Sequence, residues 1–221
     1  MKAYLFDLDG TLVQSEAHKA RALAAACAAF GAPHADPTLY SEVMGQDWET
    51  VTSHFFTTYR IDVGLADFNQ RFRAIYSDLI EAGVPLTDGA REFIRACRNT
   101  GALLGLVSSA DHWMVDRILD RVGMADGFDV IITKDDVMHH KPDPQAYLLA
   151  MSRLNIAPER TLVFEDSAAG LKAATDAGCR CVVVRHPFNQ RHDLSAAFRE
   201  IVSFTEPDVM GHDACIGQRT T

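Results

Sequence analysis

The chain lacks a basic stripe. Its 21 Lys and Arg stand against 30 Asp and Glu, a formal net charge of -9, so a phosphate polymer finds no clustered cations and a nucleic-acid partner is excluded. No apolar run approaches the roughly 20 residues that span a bilayer, which argues against a membrane partner. A single Lys precedes the first apolar segment, so no signal peptide is expected. Five cysteines form an odd set without Cys-x-x-Cys spacing, which excludes a paired disulfide framework. Cys179 and Cys181 would share a strand face, but no His or Cys pair with zinc spacing accompanies them. A reduced, cytoplasmic setting follows. His139 and His140 are adjacent, so their side chains diverge and read as structural. Internal repeats and low-complexity segments are absent. What remains is a chain of 221 residues, 48% hydrophobic, able to bury a substantial core in one domain or in a core with an inserted module.

Short apolar segments at 3–6, 103–107, 130–132, 162–164 and 181–184 alternate with helical patterns at 89–98, 111–122, 144–154 and 168–177. Strands that are apolar throughout are buried on both faces, as in parallel sheets, so the pattern predicts a doubly wound α/β fold. Residues 15–85 interrupt it with helices at 16–30, 38–44, 48–59 and 65–82 and no convincing strand. Ser15 stands where a cap for the first of these would be. The expected organisation is a core of 1–14 and 86–209, a hinged helical module of 15–85, and a loose tail of 210–221.

The first apolar segment, Ala3-Tyr4-Leu5-Phe6, runs into Asp7-Leu8-Asp9-Gly10-Thr11. Two carboxylates so close repel, and one pKa rises unless a cation intervenes or the pair divides into nucleophile and general acid. Turn capping is the ordinary alternative. An EF-hand fails, because its sixth position requires Gly and here holds Leu12. Other strand ends carry Ser108-Ser109, Lys141 ahead of Pro142-Asp143-Pro144, and Glu165-Asp166-Ser167. Singly, the serines read as turn residues and Lys141 as a surface lysine, whereas two acids directly after an apolar strand are hard to place in a core, with helix capping an alternative for Asp166 alone. In a parallel sheet they converge at the carboxyl ends, where ligands bind. Several carboxylates in one crevice suit a hard cation such as Mg²⁺.

Taken together, Asp7-Leu8-Asp9-Gly10-Thr11-Leu12, Ser108, Lys141-Pro142-Asp143-Pro144 and Glu165-Asp166-Ser167 resemble the four ordered motifs of the haloacid dehalogenase superfamily, across residues 2–204. The helical insertion is similar to the cap of its phosphoglycolate phosphatase and β-phosphoglucomutase branch. The stretch from 139 to 178 is similar to bacterial sugar-phosphate phosphatases. This resemblance implies a mainly parallel, Rossmann-like sheet with an inserted helical cap. It implies that Asp7 attacks phosphorus to form an aspartyl phosphate, while Asp9 protonates the leaving alcohol and then activates water. Mg²⁺ would be held by Asp7, the Asp9 carbonyl and Asp166, with Glu165 acting through water. Ser108, Ser109 and Lys141 would bind the phosphoryl oxygens.

Within that superfamily, dehalogenases lack the second acid, so Asp9 argues against them. Phosphonatases place a Schiff-base lysine in the cap, where Lys19 is the only lysine between 15 and 85. β-Phosphoglucomutases carry a His twelve residues after the nucleophile and an Arg in a cap loop. Here the twelfth residue is Lys19, His18 precedes it, and the loop reads Met44-Gly45-Gln46-Asp47-Trp48 without an Arg. Many relatives also have Asp where this chain has Gln14. The expected function is Mg²⁺-dependent hydrolysis of a small phosphorylated metabolite, a sugar phosphate. The alternatives are a β-phosphoglucomutase-type phosphotransferase and a non-enzymatic metabolite-binding relative. Substrate contacts are expected from His18, Lys19, Gln46 and Trp48, although Trp48 reads equally as core. A monomer is expected, with a dimer as the alternative.

Overall fold

The computed structural model describes residues 2–207 and 209. Strand β1 (Ala3–Phe6) lies inside a sheet of order β3-β2-β1-β4-β5-β6. Its other strands are β2 (Leu103–Val107), β3 (Val130–Ile132), β4 (Thr161–Glu165), β5 (Arg180–Val184) and β6 (Arg199–Ile201). Every pairing is parallel. The chain lays down β2 and β3 on one side of β1, then crosses to the other side for β4, β5 and β6. That reversal opens a crevice at the carboxyl ends of β1 and β4, the topological switch point where such sheets bind ligands. Phe6 pairs with Phe164, so the next residues, Asp7 and Glu165, emerge side by side.

Alternation along the strands builds two cores. Tyr4, Phe6, Leu162 and Phe164 enter one cluster, whereas Leu5 and Val163 enter the other. Phe6 stacks on Phe164 at 4.9 Å between centroids. Phe93 of α4 (Ala90–Asn99) meets Phe164 edge-on at 5.3 Å. The opposite face is closed by α6 (Gln145–Leu154) and α7 (Ala168–Asp176) through Tyr147 and Leu171. Helix α5 (His112–Val122) joins β2 to β3. Burial on both faces explains why these strands read as unbroken apolar runs.

Between β1 and α4 lie α1 (Glu16–Ala29), a 3-10 turn at Pro37–Glu42, α2 (Trp48–Tyr59) and α3 (Leu65–Ala82). Helix α3 buries Phe68, Phe72, Tyr76 and Ile80, one residue per turn, in a cluster shared with Leu23 and Cys27 of α1. The two chain crossings run together: Gln14 N–H donates to the Pro85 carbonyl at 2.8 Å, and Thr87 N–H to that of Leu12 at 2.9 Å.

Three expectations need correction. The helix expected at 38–44 is the 3-10 turn, held by Asp36 accepting from Thr38 N–H at 2.8 Å; Asp-Pro sets a tight local turn that a short segment does not outgrow. Ser15 does not cap α1; its backbone is already helical, and its hydroxyl donates to Asp9 instead. Strand β6 was not expected, because Arg199-Glu200-Ile201 is an edge strand with one buried side chain and carries no apolar signal. The tail at 210–221, with Cys215, lies outside the described residues.

Candidate active site

A cavity of about 400 Å³ opens over the carboxyl ends of the strands, with the helical insertion as its far wall. The strand wall starts from Asp7, whose backbone N–H donates to the Phe164 carbonyl at 2.9 Å. The Lys141 ammonium donates to Asp7 Oδ1 at 2.7 Å, to Glu165 Oε1 at 2.7 Å and to the Val107 carbonyl at 2.8 Å. Its three protons are thereby placed. Glu165 has both oxygens engaged: Tyr147 adds a hydroxyl at 2.8 Å to Oε1. Asp166 N–H, Ser167 N–H and the Ser167 hydroxyl close on Oε2 at 3.0, 3.2 and 3.1 Å.

Two glycines make this approach possible. Gly170, in the first turn of α7, has no room for a side chain, because a Cβ there would sit 1.8 Å from Glu165 Oε1. Gly10, at φ +79°, turns the chain out of β1, and a Cβ there would sit 2.2 Å from Asp166 Oδ2, a conformation and a space that only glycine tolerates.

Asp166 is held from the segment that follows β5. His186 Nδ1 accepts from Phe188 N–H at 3.3 Å, which leaves Nε2 to donate to Asp166 Oδ2 at 2.9 Å. Asn189 donates to the Asp166 carbonyl at 2.8 Å and to that of Val184 at 2.9 Å.

Asp9 faces the helical wall. Its Oδ1 accepts from Ser15 and, at 3.4 Å, from the Tyr76 hydroxyl. Lys19 Nζ lies 3.3 Å from the same oxygen and 2.7 Å from Glu16 Oε1. Tyr40, Met44, Gln46 and Trp48 continue this wall, with Trp48 Nε1–H donating to Asn69 at 2.7 Å and its ring packed 4.6 Å from Phe72.

The electrostatics follow from five buried carboxylates, Asp7, Asp9, Glu16, Glu165 and Asp166, facing two ammonium groups. Burial pushes the Asp7 carboxyl well above the usual carboxylate range; Lys141 opposes this, and Glu165 and Asp166 add to it. Burial and then Glu165 and Glu16 raise Asp166 likewise. Glu165 is also buried, but the Lys141 charge and its hydrogen bonds outweigh that and hold it low. Lys19 and Lys141 stay charged: burial disfavours the ammonium, yet the facing carboxylates win and raise both pKa values. One oxygen each from Asp7, Glu165 and Asp166 lie within 4.8 Å of one another. Oxygen donors alone, with negative charge in excess, fit a hard divalent cation.

The structure brings Asp7, Asp9, Lys141, Glu165 and Asp166 to one crevice. Ser109 lines the cavity; Ser108 is buried at the end of β2 and accepts from Ala110 N–H at 3.0 Å. Of the expected helical-wall contacts, Lys19, Gln46 and Trp48 line the cavity. His18 is not among its walls; its Nε2 lies 3.0 Å from the Gly83 carbonyl oxygen, beside the chain crossing. Sequence reasoning missed Glu16, Tyr40, Tyr76, Tyr147 and His186. Glu16 could have been found only as an acid in a helix first turn, a position where acids are ordinary. His140, read as structural, lines the cavity.

A buried ammonium, an oxygen-only acidic cluster and a second acid beside it suit an oxygen-rich anion on a hard cation, the setting for phosphate ester hydrolysis. The chain belongs to the haloacid dehalogenase-like hydrolases, whose family pattern matches residues 4–184. It is 36% identical over 184 residues to validoxylamine A 7'-phosphate phosphatase of Streptomyces hygroscopicus subsp. limoneus, covering 82% of this chain and 84% of that protein. It is 30% identical over 202 residues to the phosphorylated carbohydrates phosphatase of Thermotoga maritima, covering 89% and 91%. The solved structure of CbbY from Rhodobacter sphaeroides in complex with phosphate superposes with a TM-score of 0.82 at 29% identity, covering 93% of this chain and 96% of that one. The chain is accordingly an enzyme of the phosphoric monoester hydrolase class.

Proposed function

We propose that the protein hydrolyses a small sugar phosphate with Mg²⁺, through an aspartyl phosphate on Asp7. The observation that carries this reading is Lys141 joining Asp7 to Glu165 at 2.7 Å each, with Asp9 at the same strand end on a separate hydrogen-bond network. An Asp7 carboxylate oxygen attacks phosphorus as the ester P–O bond breaks, and Asp9 delivers its proton to the departing alkoxide. Water then attacks the phosphoryl group, Asp9 takes its proton, and Asp7 leaves as carboxylate. Lys141 offsets charge on the transferring group, and Ser108 and Ser109 supply hydroxyls beside it. Asp7 and Asp166 would hold the cation with the Asp9 carbonyl; Glu165, whose oxygens are both taken, would reach it only through water. When bound, the cation neutralises phosphoryl charge and favours the ionised form of Asp7.

Residues 15–85 act in this reading as a cap over the core of 1–14 and 86–209, and a monomer in the cytoplasm suffices. The names of two relatives, a validoxylamine A 7'-phosphate phosphatase and a phosphorylated carbohydrates phosphatase, support a small phosphorylated metabolite, and the second supports a sugar phosphate. A mutase is less favoured, since the loop Met44-Gly45-Gln46-Asp47-Trp48 offers no arginine.

The test is p-nitrophenyl phosphate hydrolysis, followed by a panel of sugar phosphates scored by phosphate release. Turnover should require Mg²⁺, and Asp7→Asn should lower kcat by about 10⁴-fold or more. Activity that survives chelation, or an Asp7→Asn variant as active as the parent, would refute the mechanism. Glucose 6-phosphate formed from β-glucose 1-phosphate with little free phosphate would instead establish the mutase.

A further inference from the structure

Glu16 is 4% exposed, yet it lines the cavity. Its Oε1 is paired with Lys19 at 2.7 Å, while its Oε2, also buried, has no hydrogen-bond partner among the described residues. Buried carboxylate oxygens are nearly always satisfied, and an orphan one marks a place where a donor arrives. A carboxylate accepts only, so that donor must bring its own proton. Lys19 also touches Asp9 at 3.3 Å, so Glu16 is one ammonium away from the proposed proton donor to the leaving oxygen. That link sets Glu16 beside the Asp9 network, next to where the ester oxygen would lie.

We infer that Glu16 Oε2 is the subsite that accepts a hydroxyl from the leaving alcohol, one or two carbons from the ester carbon, and that it selects neutral polyol phosphates. The inference rests on the phosphatase reading above and names what that site selects. The charge balance decides the class. Lys19 is already shared by Glu16 and Asp9, so a leaving group bearing a carboxylate meets the Glu16 carboxylate without that cation free to offset it. A second cation is disfavoured as well, because Lys19 already occupies the other oxygen of Glu16. A neutral O–H donor satisfies the orphan without either conflict. Tyr40 and Met44, on the same wall, add a phenol and an apolar flank against the carbon chain. Burial and then the Glu16 charge raise the Tyr40 phenol, so it stays protonated and places no second anion at the subsite.

Three phosphate monoesters separate the contributions: glycerol 1-phosphate carries the hydroxyls, n-propyl phosphate lacks them, and 2-phosphoglycolate carries a carboxylate. With Mg²⁺ and native enzyme, kcat/KM for glycerol 1-phosphate should exceed that for each of the others by about tenfold or more. In Glu16→Gln the advantage over 2-phosphoglycolate should shrink by about fivefold or more, because the repelling charge is gone. Native enzyme that turns over p-nitrophenyl phosphate but does not distinguish the three esters, or prefers 2-phosphoglycolate, overturns the subsite and leaves the phosphatase reading intact. An unchanged ratio in a folded Glu16→Gln overturns it too. Should that variant fail to fold, the native-enzyme comparison decides alone. Native enzyme that hydrolyses none of the esters, p-nitrophenyl phosphate included, overturns both readings.

Discussion

At the strand ends, Glu165 has both oxygens engaged by five donors, whereas across the cavity Glu16 has one oxygen with none. Both are buried carboxylates, and both are paired with a lysine. The difference lies in what surrounds them. Glu165 leaves a strand into the first turn of α7, where successive amides point at it and Gly170 lets the helix come close. Glu16 starts a helix in the insertion, where its neighbours are side chains with other partners. The strand wall is thus complete before any substrate arrives, which suits a phosphoryl group common to all substrates. The helical wall is left incomplete, which suits the variable part.

Breaking the strand wall should cost most. Lys141→Met leaves Asp7 and Glu165 buried without their shared cation, and removing one partner of a buried charge pair costs about 3–5 kcal/mol. Urea unfolding at pH 7 should register that loss. Turnover of p-nitrophenyl phosphate should fall by about 10²–10³-fold as a charge-stabilising donor is removed. Gly170→Ala tests the same wall sterically. The added methyl would overlap Glu165, backbone and carboxylate must shift, and a stability loss of about 3 kcal/mol is expected in the same assay. Equal stability of Gly170→Ala and the parent would mean that the close approach is not needed.

A smaller effect separates Asp166 from its neighbours. Its Oδ2 is held by His186 at 2.9 Å, and removing such an outer partner of a metal ligand typically weakens metal affinity by about 10–100-fold. His186→Leu should therefore raise the Mg²⁺ dissociation constant, measured calorimetrically without substrate. His186→Gln, whose amide nitrogen can reach the Nε2 position, should restore much of it. If both variants bind Mg²⁺ like the parent, His186 serves the loop and not the ligand.

The two walls also differ in how far they are legible in the sequence. Asp7, Asp9, Glu165 and Asp166 follow apolar strands, so their charge has no ordinary place in a core and demands a reason. Lys141, an ordinary surface lysine when read singly, gains its meaning only beside them. Parallel pairing then brings strand ends together without further information. Glu16 and Lys19 lie in a helix where acids and lysines are unremarkable, and only the packing of α1 under the Pro37–Glu42 turn and α3 turns them inward. Tyr76 and Tyr147 read as core aromatics because their rings are core; only their hydroxyl tips are functional. Strand β6 escapes for the opposite reason, since an exposed edge carries too little apolar signal.

A carboxylate outside the cavity sets the baseline for both walls and gives the smallest effect. Asp136 sits in a 3-10 turn after β3, where Oδ2 accepts from Thr133 N–H at 2.9 Å and Oδ1 from Arg153 at 3.0 Å. Slight burial disfavours its charge, but the Thr133 hydrogen bond and the Arg153 guanidinium outweigh it and lower its pKa. A carboxyl with a lowered folded-state pKa adds stability that is present above its unfolded pKa, about 3.9, and is lost as pH falls through the folded value. Asp136→Asn should therefore cost about 1 kcal/mol at pH 7, the usual scale for a lost cap. The gap between variant and parent should close as pH drops below about 4. A gap of the same size at pH 7 and pH 3, read by thermal unfolding, would show that geometry and not charge holds this turn. Asp136 would then resemble the hydrogen-bonded frame around Glu165 in form while sharing none of its electrostatics.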